Sequence, residues 1–118
     1  MEIEMEIYHN PKWSKSRESV KILKKINKSF TIIEYLKDGL NKQDLNDILL
    51  KLNLNPIQII RVNDKKFKEL RLTEAELKNK KKLLDILIEN PMILERPIII
   101  NNNKGVIGRP PENIYKIL

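Results

Sequence analysis

Apolar and acidic residues alternate at the start of the chain, with Ile3, Met5 and Ile7 set among Glu2, Glu4 and Glu6. A period of two predicts a strand with one buried face. From Ser16 the spacing changes. Val20, Leu23 and Ile26–Asn27 share one helical face with Ile22 beside it, and lysines 21, 24, 25 and 28 take the other. The helix is expected to open either at Asn10 capping Pro11 or with a cap at Ser14, because proline suits a first helical position. Phe30 to Leu36, β-branched and nearly continuous in apolar character, predicts a second strand. A strand, helix and strand of this length imply a right-handed crossover and parallel pairing.

Asp38-Gly39 breaks that strand, and Asn41 caps a helix with Leu45, Ile48, Leu49 and Leu52 at i, i+3, i+4 and i+7. Asn55-Pro56 opens a short helix running through Ile57, Ile59 and Ile60 to Arg61. Thr73-Glu74-Ala75-Glu76 has capping-box spacing. Leu83, Leu84, Leu87 and Ile88 give the next helix its apolar face, and Asn90-Pro91 ends it. The middle of the chain is thus expected to be helical from about Asn41 to Glu89. Strand character returns at Pro97–Ile100, followed by a turn over Asn101–Gly105 and a partner strand at Val106-Ile107. Pro110-Pro111 starts a last helix with Ile114, Ile117 and Leu118 on one face. The order β-α-β, helical insert, β-β-α predicts an α/β protein with a four-stranded mixed sheet flanked by helices.

Composition narrows the function classes. The 118 residues suit one domain, residues 1–118, and no repeat or linker divides them. The alternating start is not a signal peptide, and no apolar run approaches the ~20 residues of a membrane span. There are no cysteines and a single histidine, so disulfides, thiolate metal sites and multi-histidine sites are excluded. The cytoplasm is the expected compartment, and no bound cofactor or metal is expected. The net charge is +7, carried mostly by lysine. The densest run, Lys78 to Lys82, lies at a helix entrance without aromatic neighbours. Charge alone therefore gives little support for a nucleic-acid partner.

Candidate chemistry gathers where the first strand gives way to the first helix, at Tyr8-His9-Asn10-Pro11-Lys12-Trp13-Ser14-Lys15-Ser16-Arg17. A strand that turns directly into a helix presents unpaired N–H groups and the positive dipole end beyond the strand tip. That cradle suits an anion or an activated thiolate. The segment resembles the active-site segment of the glutaredoxin-linked arsenate reductases, the ArsC type with a thioredoxin-like fold, to which the Spx regulators are related. Members of the family read Tyr-His-Asn-Pro-x-Cys-x-x-Ser-Arg there. Aligning Asn10, Pro11, Ser16 and Arg17 puts Trp13 where the family carries its nucleophilic cysteine.

Three arginines stand in apolar or proline-rich settings: Arg61 after Ile59-Ile60, Arg96 before Pro97, and Arg109 before Pro110. On their own they read as ordinary ion-pair partners. The resemblance, which spans Ile7 to Leu118, implies instead that they converge on the nucleophile position and bind an oxyanion, for which a guanidinium offers a planar, permanently charged fork. It also implies that Pro97 is the cis proline beside the site. The matching histidine, His9, would favour a thiolate in the family; without the thiol it reads as a loop histidine making one hydrogen bond. Ser14 and Ser16 make poor replacement nucleophiles, because no His/Asp pairing is evident to activate them.

Trp13 can line a hydrophobic site, plug the anion pocket, or stand exposed as an interface anchor. It cannot form a thiolate–arsenic bond. The resemblance therefore implies a monomeric, thioredoxin-like protein that would reduce arsenate with glutathione and glutaredoxin if it had the cysteine. As written it is expected to lack that reaction and to keep an oxyanion pocket for arsenate, phosphate or sulfate. Besides a glutaredoxin-type partner, the competing expectation is a non-enzymatic regulatory module of the Spx kind, engaging a protein partner through the same surface.

Overall fold

Met5–Tyr8 forms β1, the strand through which the sheet is assembled. The computed structural model of the chain describes residues 5–26 and 29–118. The expected strand residues Glu2, Ile3 and Glu4, and the helical positions Asn27 and Lys28, lie outside these. β1 pairs in parallel with β2, Phe30–Ile33, and antiparallel with β3, Ile98–Asn101. β3 in turn pairs antiparallel with β4, Lys104–Ile107. The result is the expected four-stranded mixed sheet, in the order β2-β1-β3-β4.

The described chain forms two compact units, one running through Asp38 and resuming at Arg96, the other spanning Gly39–Glu95. In the first, α1 (Ser14–Lys25) lies over one face of the sheet. Met5, Ile7, Leu23, Ile99, Ile114 and Ile117 form its core, with Val20, Ile22, Ile26, Phe30 and Val106 packed against them. The alternation of Met5 and Ile7 and the helical spacing of Val20, Leu23 and Ile26 meet in this one cluster.

Four boundaries differ from the sequence expectation, each for a local reason. β2 ends at Ile33 instead of Leu36, because its partner β1 ends opposite at Tyr8. The Glu34 carbonyl then accepts from the Lys37 and Asp38 amides, 3.0 Å each, and Tyr35–Asp38 turns into the short helix α2. α1 uses neither Asn10 nor Ser14 as its cap: Trp13 occupies the N-cap position, without a side-chain bond. The hairpin turn tightens to two residues because Asn102 adopts φ 56°, so Asn101 and Lys104 pair directly. The last helix is a 3-10 helix, Pro111–Ile117, whose three-residue period buries Pro111, Ile114 and Ile117 and leaves Leu118 exposed.

The second unit is helical but not continuous. α3 (Lys42–Leu52) starts at an Asn41 capping box, as expected, and ends at Asn53 with φ 55°. Pro56–Ile59 is a 3-10 turn, and Ile60 is extended where helix was expected, because it bridges Leu94. α4 (Lys65–Glu69), capped by Asp64, was not signalled by periodicity. Arg71, at φ 49°, separates it from α5 (Glu74–Leu77), which opens on the Thr73 capping box. α6 (Lys80–Glu89) buries Leu83, Leu84, Ile86 and Leu87.

Candidate functional site

The junction is held together by serine rather than by a helix cap. His9, the residue after β1, donates its amide to the Ile33 carbonyl at 2.9 Å. The Asn10 amide donates to Ser16 Oγ at 2.9 Å, and His9 Nδ1 lies 2.6 Å from the same oxygen. The Asn10 amide and His9 Nδ1 thus share one hydroxyl oxygen, which can take part in both bonds at once. All three residues are buried. Burial holds the His9 imidazole below its ordinary pKa of 6.5; Glu34 opposes that shift and Arg17 adds to it.

The turn that follows is built by the polar residues of the motif. The Lys12 amide donates to Asn10 Oδ1 at 3.1 Å and the Trp13 amide to the Asn10 carbonyl at 3.1 Å. Arg17 reaches back to the Pro11 carbonyl at 3.0 Å. The first turn of α1 contains no acidic residue, and its cap Trp13 offers the first N–H groups no side-chain acceptor. The first turn thus supplies no carboxylate of its own to the positive end of the helix dipole.

Trp13 and Arg96 meet face to face. The guanidinium carbon of Arg96 stands 3.6 Å from the centre of the indole. Arg96 is 4% exposed, whereas Trp13 is 46% exposed. The indole therefore shields a buried cation and leaves much of its own surface to solvent. A stack of this kind contributes ~0.5–2 kcal/mol, more as it is desolvated.

Arg96 leads into Pro97 through a cis peptide bond, the isomer expected there; Arg109–Pro110 is also cis. Pro97 accepts from the Gly108 amide at 2.8 Å. A Cβ on Gly108 would lie 2.7 Å from Ile99 Cδ1, 2.8 Å from Pro97 Cγ and 2.9 Å from Ser19 Oγ. Only glycine lets α1 approach the Arg96–Pro97 segment this closely. Arg109 follows it and is exposed. Arg61 belongs to the second unit, where it pairs with Asp64 at 2.8 Å.

Of the residues picked out from sequence, the structure joins His9, Asn10 and Ser16 by hydrogen bonds and Trp13 with Arg96 by stacking. The shared Ser16 acceptor and the crowding at Gly108 went unseen, since neither a buried hydroxyl nor a close backbone approach leaves a periodic signal. No group of three or more His, Asp or Glu side chains among the described residues is placed to hold a metal ion. No helix among them is long and apolar enough to cross a membrane.

The sequence matches the ArsC family over residues 8–117. It is 38% identical over 116 residues to the arsenate reductase of Neisseria meningitidis serogroup A, covering 98% of each chain. It is 35% identical over 116 residues to the uncharacterized protein YfgD of Escherichia coli K12, covering 98% of this chain and 97% of that one. The fold superposes on the arsenate reductase from Vibrio cholerae with a TM-score of 0.93 at 33% identity, over 100% of both chains. With its β1–α1 junction, cis Pro97 and thioredoxin-like sheet, this cysteine-free chain belongs to the ArsC family.

Proposed function

We propose that this protein binds a small oxyanion, arsenate, phosphate or sulfate, at the β1–α1 junction and does not reduce arsenate through a cysteine. The observation that carries this reading is the Trp13–Arg96 stack at the uncapped start of α1. The stack uses a face of the guanidinium, whereas an oxyanion takes the N–H fork in its plane. Arg109 lies in the same unit and is the second candidate contact. Arg61 lies in the other unit, and the proposal does not depend on it.

Reduction in the family manner requires a sulfur nucleophile to displace an arsenate oxygen and then to exchange with glutathione or glutaredoxin. The chain has no cysteine, and the indole at the corresponding position is not a nucleophile of that kind. Charge-assisted contacts contribute ~1.5–3 kcal/mol each before screening and ordering. A few of them support binding on the order of millimolar, weakening as salt rises.

The test uses the sole tryptophan as reporter. Titration with phosphate or arsenate should change Trp13 fluorescence saturably, and Arg96→Ala should abolish the change while the protein stays folded. An assay coupled to glutathione, glutaredoxin and a nicotinamide-linked reductase should show no arsenate-dependent turnover. Trp13→Cys should gain turnover if the rest of the site is intact. Turnover by the wild-type chain, or an unchanged anion response in Arg96→Ala, overturns the reading.

A further inference from the structure

Residues 11–15, Pro-Lys-Trp-Ser-Lys, are exposed without interruption, between buried Asn10 and buried Ser16. The run carries Trp13, the only tryptophan of the chain. Beside it lies a hollow of about 240 Å³ lined by Pro11, Lys12, Leu36 and Lys37 together with His9 and Glu34. Leu36 is 43% exposed. The hollow falls below the ~300–1,000 Å³ of pockets that take a whole small-molecule ligand. Its size suits one inserted side chain.

We infer that Pro11, Lys12, Trp13, Leu36 and Lys37 form a docking surface for an acidic peptide segment that carries an apolar or aromatic anchor. Two features support the anchor. Exposed tryptophan is among the residues that dominate interface energies when it becomes buried. Here one face of the indole is already fixed by Arg96 at 3.6 Å, so docking orders little that is not ordered already. Charge supports the acidic segment. Lys12 and Lys37 outnumber Glu34 among the charged residues lining the hollow, and the exposed Lys15 and Arg17 follow Trp13 along the chain. The chain's net charge of +7 adds long-range attraction for an acidic partner.

Single-stranded nucleic acid fits less well, because such sites track the backbone along several stacking aromatics. This patch offers one indole, with aliphatic Leu36 and Pro11 as its apolar neighbours. The docking surface goes beyond oxyanion binding and does not require it.

The test titrates the folded protein with a glutamate-rich copolymer of glutamate and tyrosine, and in parallel with polyglutamate, oligothymidylate and anionic phospholipid vesicles. Binding is followed by calorimetry and by the backbone amide shifts of Lys12, Leu36 and Lys37. The copolymer is expected to bind at least about ten-fold more tightly than polyglutamate, as a single well-buried anchor allows. Trp13→Ala should weaken it by about thirty-fold. Leu36→Glu, at an exposed position, should weaken it comparably without disturbing folding, and Lys12→Ala with Lys37→Ala should weaken it and reduce its salt dependence. The inference is overturned if copolymer and polyglutamate bind alike, if Leu36→Glu binds as the wild type does, or if oligothymidylate or vesicles bind more tightly over the same amides. Inorganic phosphate, titrated separately at constant ionic strength, reports the oxyanion site; its failure there leaves the copolymer result standing, and the reverse holds too.

Discussion

Ser16 Oγ, on α1, sits 2.6 Å from His9 Nδ1 and 2.9 Å from the Asn10 amide, so one buried hydroxyl ties the end of β1 to the first turn of the helix. Removing it leaves the buried Asn10 amide and the buried His9 Nδ1 without this partner. Ser16→Ala is expected to destabilise the protein by ~1–3 kcal/mol in denaturant unfolding. Ser14→Ala, at an exposed site two residues earlier, should fall within about 0.5 kcal/mol of wild type. Equal effects of the two would mean that the bridge carries no weight.

The lowered His9 pKa sets a pH dependence with a definite sign. The folded ring holds a proton less tightly than the unfolded one, so between its ordinary pKa of 6.5 and the lower folded value the unfolded chain binds more protons. His9 therefore favours folding fully above about pH 6.5, and that contribution is lost as pH falls through the window. Unfolding midpoints measured from about pH 7.5 down to about pH 5 should decline more steeply for wild type than for His9→Gln. Parallel declines would assign the acid sensitivity to other groups.

Trp13 and Arg96 should behave as a coupled pair. Trp13→Ala is expected to cost ~1–2 kcal/mol by removing the stack and exposing the buried cation, whereas Trp13→Phe should recover part of it, phenylalanine being the weaker partner. A double-mutant cycle with Arg96→Met isolates the interaction. A coupling energy near zero would reduce the 3.6 Å contact to proximity.

Gly108 and Gly39 make opposite predictions about alanine. At Gly108 a Cβ meets Ile99, Pro97 and Ser19 within 2.9 Å, and Gly108→Ala should cost ~1–3 kcal/mol through overpacking. At Gly39 nothing lies within 4 Å of the added atom, but φ is +82°, so the cost is backbone strain of roughly 1–2 kcal/mol. Anion titrations separate them further. Gly108→Ala should also weaken phosphate binding by displacing the Arg96–Pro97 segment, and Gly39→Ala should not.

The elements that could be read from sequence were those whose signal is local. Alternation at Met5 and Ile7, the capping residues Asn41 and Thr73, and the β-branched run at Ile98–Ile100 each form their element through near neighbours. Where a boundary depends on a distant partner, sequence failed: β2 stops because β1 stops, and Ile60 is extended because Leu94 lies beside it. The site divides in the same way. Asn10 and Pro11 announce a turn, but the burial of Arg96 beneath Trp13 comes from tertiary packing, and arginine before proline reads equally well as a surface residue. Ser16 and Ser19, both fully buried on α1, look like solvent-facing positions in any hydrophobic pattern.

The unit that carries the indole and its buried cation is assembled from both ends of the chain, through Asp38 and again from Arg96. During synthesis Trp13 emerges early, yet Arg96, β3 and the core residues Ile114 and Ile117 follow only after the entire second unit has been made. Closing so long a stretch of chain carries an entropic penalty that local helix formation does not. Non-local pairing of this kind slows folding, so the β1–β3 ladder is expected to form after the helices of the second unit. Until it does, the junction has no guanidinium to stack on its tryptophan. The emission of Trp13 thus doubles as a timer, reporting the moment at which the two ends of the chain have found each other.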